Sequence, residues 1–131
     1  MSFKCVVVTP EAQLADETVT QVILPAHDGE VGILTNRAPL LVKLGVGQLR
    51  LDVQGGGKKL FFVDGGIAQM KDNKLTILTD EAMLPEDINV ETARAEYAEA
   101  QAMKITDAKT AEKRARGLAR GTVKQRLAAR V

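Results

Sequence analysis

Asp80-Glu81-Ala82-Met83-Leu84-Pro85-Glu86-Asp87-Ile88-Asn89-Val90-Glu91-Thr92-Ala93 divides the chain into two kinds of sequence. Pro85 fixes its own φ and turns the residue before it away from helix. Four residues later Asn89 is a good helix N-cap, and Glu91 places a negative charge in the first turn, where the helix dipole favours it. Residues 1–84 therefore read as one unit and residues 85–131 as another.

Upstream of Pro85 the apolar residues come in short runs between turn formers. Phe3 to Val8 is β-branched and stops at Pro10, and Thr18 to Leu24 ends at Pro25. Gly29–Leu34 and Leu40–Leu44 flank Pro39. Val46 to Val53 alternates, with Leu49, Leu51 and Val53 on one face. Gly55-Gly56-Gly57 is a turn, and Leu60–Val63 is a buried strand ended by a tight turn at Asp64-Gly65-Gly66. Ile67–Met70 and Leu75–Leu78 form a last hairpin about Asp72-Asn73. Strands this short and evenly spaced predict a β-sandwich or barrel.

Downstream the period changes. Val90, Ala93, Tyr97 and Ala100 share one face of a first helix. Met103 to Thr106 breaks it, and Asp107 is a second N-cap. In the second helix Ala108, Ala111, Ala115 and Leu118 form a small-residue stripe. Lys109, Lys113, Arg116, Arg120 and Lys124 are expected on the opposite face. Two such helices predict an antiparallel hairpin. Gly117 and Gly121 each weaken the second helix by roughly 0.8–1 kcal/mol relative to Ala. They serve either close approach of the two helices or a helix able to rearrange.

Charge is distributed unevenly along 131 residues: net −2 over 1–84, −4 over 85–100 and +7 over 101–131. The basic face has three readings: an acidic protein partner, a solvated face folded against the acidic first helix, or nucleic acid. No aromatic residue interleaves it, which weakens stacking on single strands. Chemistry finds little footing elsewhere. There is one histidine, His27, and one cysteine, Cys5, so neither a metal set nor a nucleophile pair is expected. Gly55-Gly56-Gly57-Lys58-Lys59 leads into a strand rather than a helix and reads as a hairpin turn, not a phosphate loop. The chain is expected to be non-catalytic and to use no cofactor. No leader is expected at Met1-Ser2-Phe3-Lys4, and no apolar run approaches the roughly 20 residues that span a bilayer, so direct membrane insertion is not expected.

A series of strings, in order, carries a resemblance. They are Val7-Val8-Thr9-Pro10-Glu11, Gly29-Glu30-x-Gly32-Ile33-Leu34 running to Ala38-Pro39-Leu40-Leu41, Gly47-x-Leu49-Arg50-Leu51, Phe62-Val63-x-Gly65-Gly66 and Thr76-Ile77-Leu78-Thr79. With the two-helix tail they make the chain resemble the epsilon subunit of F-type ATP synthases over its full length. The resemblance implies a segregated α+β fold, a sandwich of about ten short strands over 1–84 followed by a helical hairpin over 85–131. It implies a non-catalytic rotor subunit of a proton-driven ATP synthase, peripheral at the cytoplasmic face of a bacterial inner membrane. The partners it implies are the gamma shaft, the c subunits of the membrane rotor ring and, when the tail extends to inhibit hydrolysis, acidic segments of the catalytic alpha and beta subunits.

Carried over by position, Asp28, Gly29 and Glu30 match the loop that meets the rotor ring. Thr9, Arg37 and Val42 match the gamma-facing side. Arg37 stands where the family usually has His, and keeps its charge where His would titrate. Ile88-Asn89-Val90-Glu91-Thr92-Ala93 departs from the family's nucleotide-sensing motif, with Asn for Asp and Thr for Arg. Loss of that Arg removes a phosphate partner, so tight ATP binding by the isolated chain is not expected. An RNA-binding module that reads with the basic helix is the alternative from another functional class.

Overall fold

The computed structural model describes residues 1–129; the last two residues of the expected 85–131 tail lie outside the described residues. Nine strands come first: β1 (Phe3–Val8), β2 (Gln13–Ala26), β3 (Gly29–Leu34), β4 (Leu40–Lys43), β5 (Val46–Val53), β6 (Lys58–Asp64), β7 (Ile67–Lys71), β8 (Lys74–Leu78) and β9 (Glu81–Met83). A single 3-10 turn, Pro85–Asp87, leads into α1 (Val90–Ala102) and α2 (Ala108–Ala128).

The strands hydrogen-bond in the order β4-β7-β8-β1-β2-β5-β6-β9, with β3 added beside β2, and the path does not close. The long β2 joins the two halves. Its first part pairs with β1 and its second with β3 and β5, with a register shift between Val19 and Gln21. Alternation then aims every second side chain inward. Phe3, Cys5 and Val7 from β1, Val22 and Leu24 from β2, Leu49 and Leu51 from β5, Phe61 and Val63 from β6, and Leu75 and Ile77 from β8 meet in one buried cluster. With few aromatic residues available, that core is mostly aliphatic.

The described residues hold nine strands, in keeping with a sandwich of about ten, and two expectations need correction. The second strand does not end at Pro25: β2 runs on to Ala26, because β5 pairs with it only as far as Ile23 and the missing proline N–H has no ladder bond to make on that side. Asp64-Gly65-Gly66 ends β6 in a turn, as expected, with both glycines at positive φ. It passes the chain from β6, which pairs with β5 and β9, to β7, which pairs with β4 and β8. Gly66 holds φ at 106°, and a Cβ there would stand 2.0 Å from the Leu78 carbonyl oxygen. The second correction is β9 itself, which the sequence reading did not contain. At three residues it is too short to show a period.

The helices form as their caps direct. The Asn89 side chain accepts from the N–H groups of Glu91 and Thr92, and Asp107 with Thr110 closes a capping box. Only α2 lies along the sheet, over β5, β6 and the 3-10 turn, while α1 lies along α2. Both glycines serve close approach: a Cβ at Gly117 would stand 2.7 Å from Ala100 Cβ, and one at Gly121 would stand 2.7 Å from Tyr97 Cβ. The expected Ala108–Leu118 stripe is not the inner face. Ala108 and Ala115 are exposed, and the buried line of α2 is Gly121, Lys124 and Leu127.

Candidate functional site

Three surfaces carry the residues singled out by sequence. The first is the β2–β3 hairpin. Ala26 pairs with Gly29 and Pro25 with Glu30, leaving His27-Asp28 as a two-residue loop. Gly29 takes φ 140°, and nothing lies within 4 Å of the Cβ it lacks. Asp28, Gly29 and Glu30 are all exposed at one end of the sheet. Backbone bonds hold that end together: His27 N–H donates to Lys43 O at 2.9 Å, Gly45 N–H to Pro25 O at 2.9 Å and Gly65 N–H to Gly45 O at 3.1 Å. The loop thus presents two carboxylates on a rigid tip.

The second surface is the outer face of β4, β7, β8 and β1. Lys43 stands opposite Ile67, Ile67 opposite Leu78, and Leu78 beside Val8. Leu41 is 66% exposed, Ile67 41% and Leu78 45%, and no helix lies over them. The residues carried over to this side fare unequally. Arg37 is exposed just before β4. Val42 instead packs inward against the core, because strand alternation hands the outward position to Leu41. Thr9 is buried, with its hydroxyl donating to Ala12 O at 3.2 Å and accepting from Ala12 N–H at 3.3 Å. Sequence reasoning missed Leu41, Ile67 and Leu78; the signal was the alternation of Ile67-Ala68-Gln69-Met70, apolar at both parities.

The third surface is the expected basic face of α2, and its C-terminal half turns inward rather than to solvent. Lys109 and Lys113 are exposed. Arg120 and Lys124 point inward, and Arg116 joins them at the edge. Strand β9 places Glu81 directly opposite Asp64 of β6, two like charges in cross-strand register. The Arg120 guanidinium lies between them. Nη1 donates to Glu81 Oε2 at 2.7 Å and to Asp64 Oδ2, and Nη2 donates to Glu81 Oε1 at 3.2 Å. Nε donates to Glu96 Oε2 of α1 at 3.0 Å. Arg116 Nε donates to Asp64 Oδ1 at 3.1 Å, and Lys124 Nζ to Glu96 Oε1 at 2.6 Å. Below the cations lies the Phe62 ring, 5.3 Å from the Arg120 guanidinium carbon and 5.0 Å from Lys124 Nζ.

The electrostatics follow from this enclosure. Burial alone would raise the Glu96 carboxyl, but the hydrogen bonds from Lys124 and Arg120 outweigh it and hold the group below its ordinary range. Burial opposes the Arg120 charge, and the Glu81, Glu96 and Asp64 bonds overcome that and raise its pKa. Among the described residues no buried side-chain polar atom lacks a hydrogen-bond partner, and no cluster of three His, Cys, Asp or Glu side chains is set to hold a metal. No helix among the described residues is long and apolar enough to cross a membrane. With three of its five cations already paired, the RNA-reading alternative finds no support.

The family pattern described as ATP synthase, Delta/Epsilon chain, beta-sandwich domain matches residues 2–85. A protein named ATP synthase epsilon chain from Rhodopirellula baltica is 38% identical over 128 residues, covering 93% of this chain and 99% of that one. One of the same name from Leptospira interrogans is 40% identical over 106 residues, covering 81% and 83%. Among solved structures, a chain of the Euglena gracilis mitochondrial ATP synthase, OSCP/F1/c-ring in rotational state 1, superposes with a TM-score of 0.82 at 22% identity, covering 99% of this chain and 82% of that one. A chain of the Tetrahymena thermophila mitochondrial ATP synthase central stalk/c-ring gives 0.67 at 17% identity, covering 93% and 95%. These two likenesses are likenesses of fold.

Proposed function

The chain belongs to the ATP synthase epsilon-chain family, and on that premise we propose that it is a non-catalytic central-stalk subunit joining the gamma shaft to the membrane rotor ring. In this reading it sits peripherally at the cytoplasmic face of a bacterial membrane. The observation that carries it is the uncovered apolar strip Leu41–Ile67–Leu78, on the side of the sheet away from the helices. Such a strip suits a permanent protein neighbour better than water. The gamma shaft is assigned to it and to Arg37, with Thr9 and Val42 supporting the surface from inside. The exposed Asp28-Gly29-Glu30 tip is assigned to the polar loops of the rotor ring.

The hairpin is the regulatory part. Docked as described, it is silent; undocked and extended, its freed Arg116, Arg120 and Lys124, with Lys109 and Lys113, would face acidic segments of the catalytic subunits and restrain hydrolysis. The nucleotide-sensing motif departs at Asn89 and Thr92, so docking is expected to be governed by the chain's own contacts rather than by ATP.

The test is recovery of the tagged chain from membranes in mild detergent. The expected companions are the gamma subunit, the catalytic hexamer and the rotor ring, all lost with Leu41→Asp/Ile67→Asp while Lys43→Gln retains them. Recovery of the tagged wild-type chain alone, or unchanged recovery with the double substitution, overturns the assignment.

A further inference from the structure

We infer that Arg120 is the latch that keeps the helical hairpin docked, by neutralising two carboxylates that the sheet itself forces together. The inference rests on the reading of the hairpin as a mobile tail and adds to it the contact that sets its equilibrium.

The need for the latch arises in the sheet. The β6–β9 register puts Asp64 and Glu81 opposite one another. Asp64 is 3% exposed, so water screens it little. Like charges in this position repel, and no lysine or arginine of the sheet pairs with either of them. The cations that do come from α2: Arg116 on Asp64, Arg120 on both, and Lys124 4.0 Å from Glu81. A third carboxylate, Glu96 of α1, closes the set from above through Arg120 and Lys124. Three acids from β6, β9 and α1 thus meet three bases from α2. Among the described residues Arg120 is the one cation that touches all three acids, and its planar, forked donor set suits it to do so from a single side chain.

The attachment has little else. Helix α1 reaches the sheet through α2, and the apolar seat of α2 is a small cluster, Phe62, Ile88 and Leu127 with partly buried Val46, Leu60, Met83, Val123 and Ala128 around them. Removing the guanidinium leaves the buried Asp64 carboxylate facing Glu81 with only Arg116, at the solvent edge, and Lys124, 4.0 Å from Glu81, to offset them, which favours departure of the hairpin. Lysine at the same place restores one charge but cannot bridge three carboxylates.

Amide hydrogen exchange of the full chain tests this, with α2 and β5–β6 followed separately in the wild type, Arg120→Gln and Arg120→Lys. The expected result is α2 opening more readily than β6 in the wild type, accelerated about tenfold or more by Arg120→Gln and less by Arg120→Lys, with β5–β6 protection unchanged. Raising the salt concentration should accelerate wild-type α2 exchange and leave Arg120→Gln nearly unmoved. Wild-type α2 amides as protected as those of β6 would remove the mobile-tail reading and the latch with it. Separate opening of α2 in the wild type, unchanged by Arg120→Gln, would overturn the latch alone. Equal loss of protection in α2 and β5–β6 would make Arg120 a general stabiliser and also overturn it.

Discussion

The two sides of strand β6 show how differently the halves of this molecule are held. Phe61 and Val63 point into an apolar cluster of 18 buried residues that ties together seven strands. Phe62 and Asp64, from the same strand, point out to a seat with three buried apolar residues and a neutral set of six charges. Apolar burial does not titrate and is not weakened by charge screening, and it dominates folding. Buried ion clusters add little net stability but are costly to break one partner at a time. The sandwich is therefore built to persist and the hairpin to respond.

The contrast can be broken at several points. Phe61→Ala opens a cavity in the shared core and should lower global stability by about 3–5 kcal/mol. A shift of the urea midpoint, with the hairpin lost at the same time, checks this. Gly121→Val drives a branched side chain into Tyr97 and should destabilise the α1–α2 contact by about 1–3 kcal/mol. The near-ultraviolet signal of Tyr97, the only tyrosine in a chain without tryptophan, should collapse while sheet amides stay protected.

Acid should act in the same order. The Glu96 pKa is lowered in the docked state, so its contribution is present above the ordinary carboxylate pKa and is lost as pH falls through the lowered value. The charged groups gathered around it are Asp64 of β6, Glu81 of β9, and Arg116, Arg120 and Lys124 of α2. A pH titration below the ordinary carboxylate range should release the Tyr97 signal before the sheet unfolds. Asn89→Ala should have the smallest effect. It removes one cap, costs about 1 kcal/mol and frays the Glu91 and Thr92 amides.

Much of this was legible in the sequence, for identifiable reasons. Strands with clean alternation, such as Val46–Val53, appear with their expected bounds, and so do both helix caps, because local chemistry decides them. Asp72 and Asn73 take positive φ, as their hairpin turn requires. What failed to show was long-range. A three-residue β9 has no period of its own, and only its pairing with β6 reveals that Asp64 and Glu81 face each other. The helical wheel grouped Arg120 and Lys124 with Lys109, Lys113 and Arg116 opposite the small-residue stripe, and that stripe was taken as the packing face because charge normally goes to solvent. The aliphatic stems and the Phe62 ring, with acids waiting at the seat, reversed that preference. Val42 was assigned to the gamma-facing side by resemblance alone, and its packing against the core shows only in the strand's alternation.

The central claim is that the hairpin and the sandwich are separately held, and urea unfolding followed by two probes tests it most directly. The near-ultraviolet signal of Tyr97 reports the hairpin, and amide protection at Phe61 and Val63 reports the core. The account predicts that the Tyr97 transition comes at lower urea and moves lower still as salt is added, while the core transition stays in place. A single coincident transition at every salt concentration would contradict it.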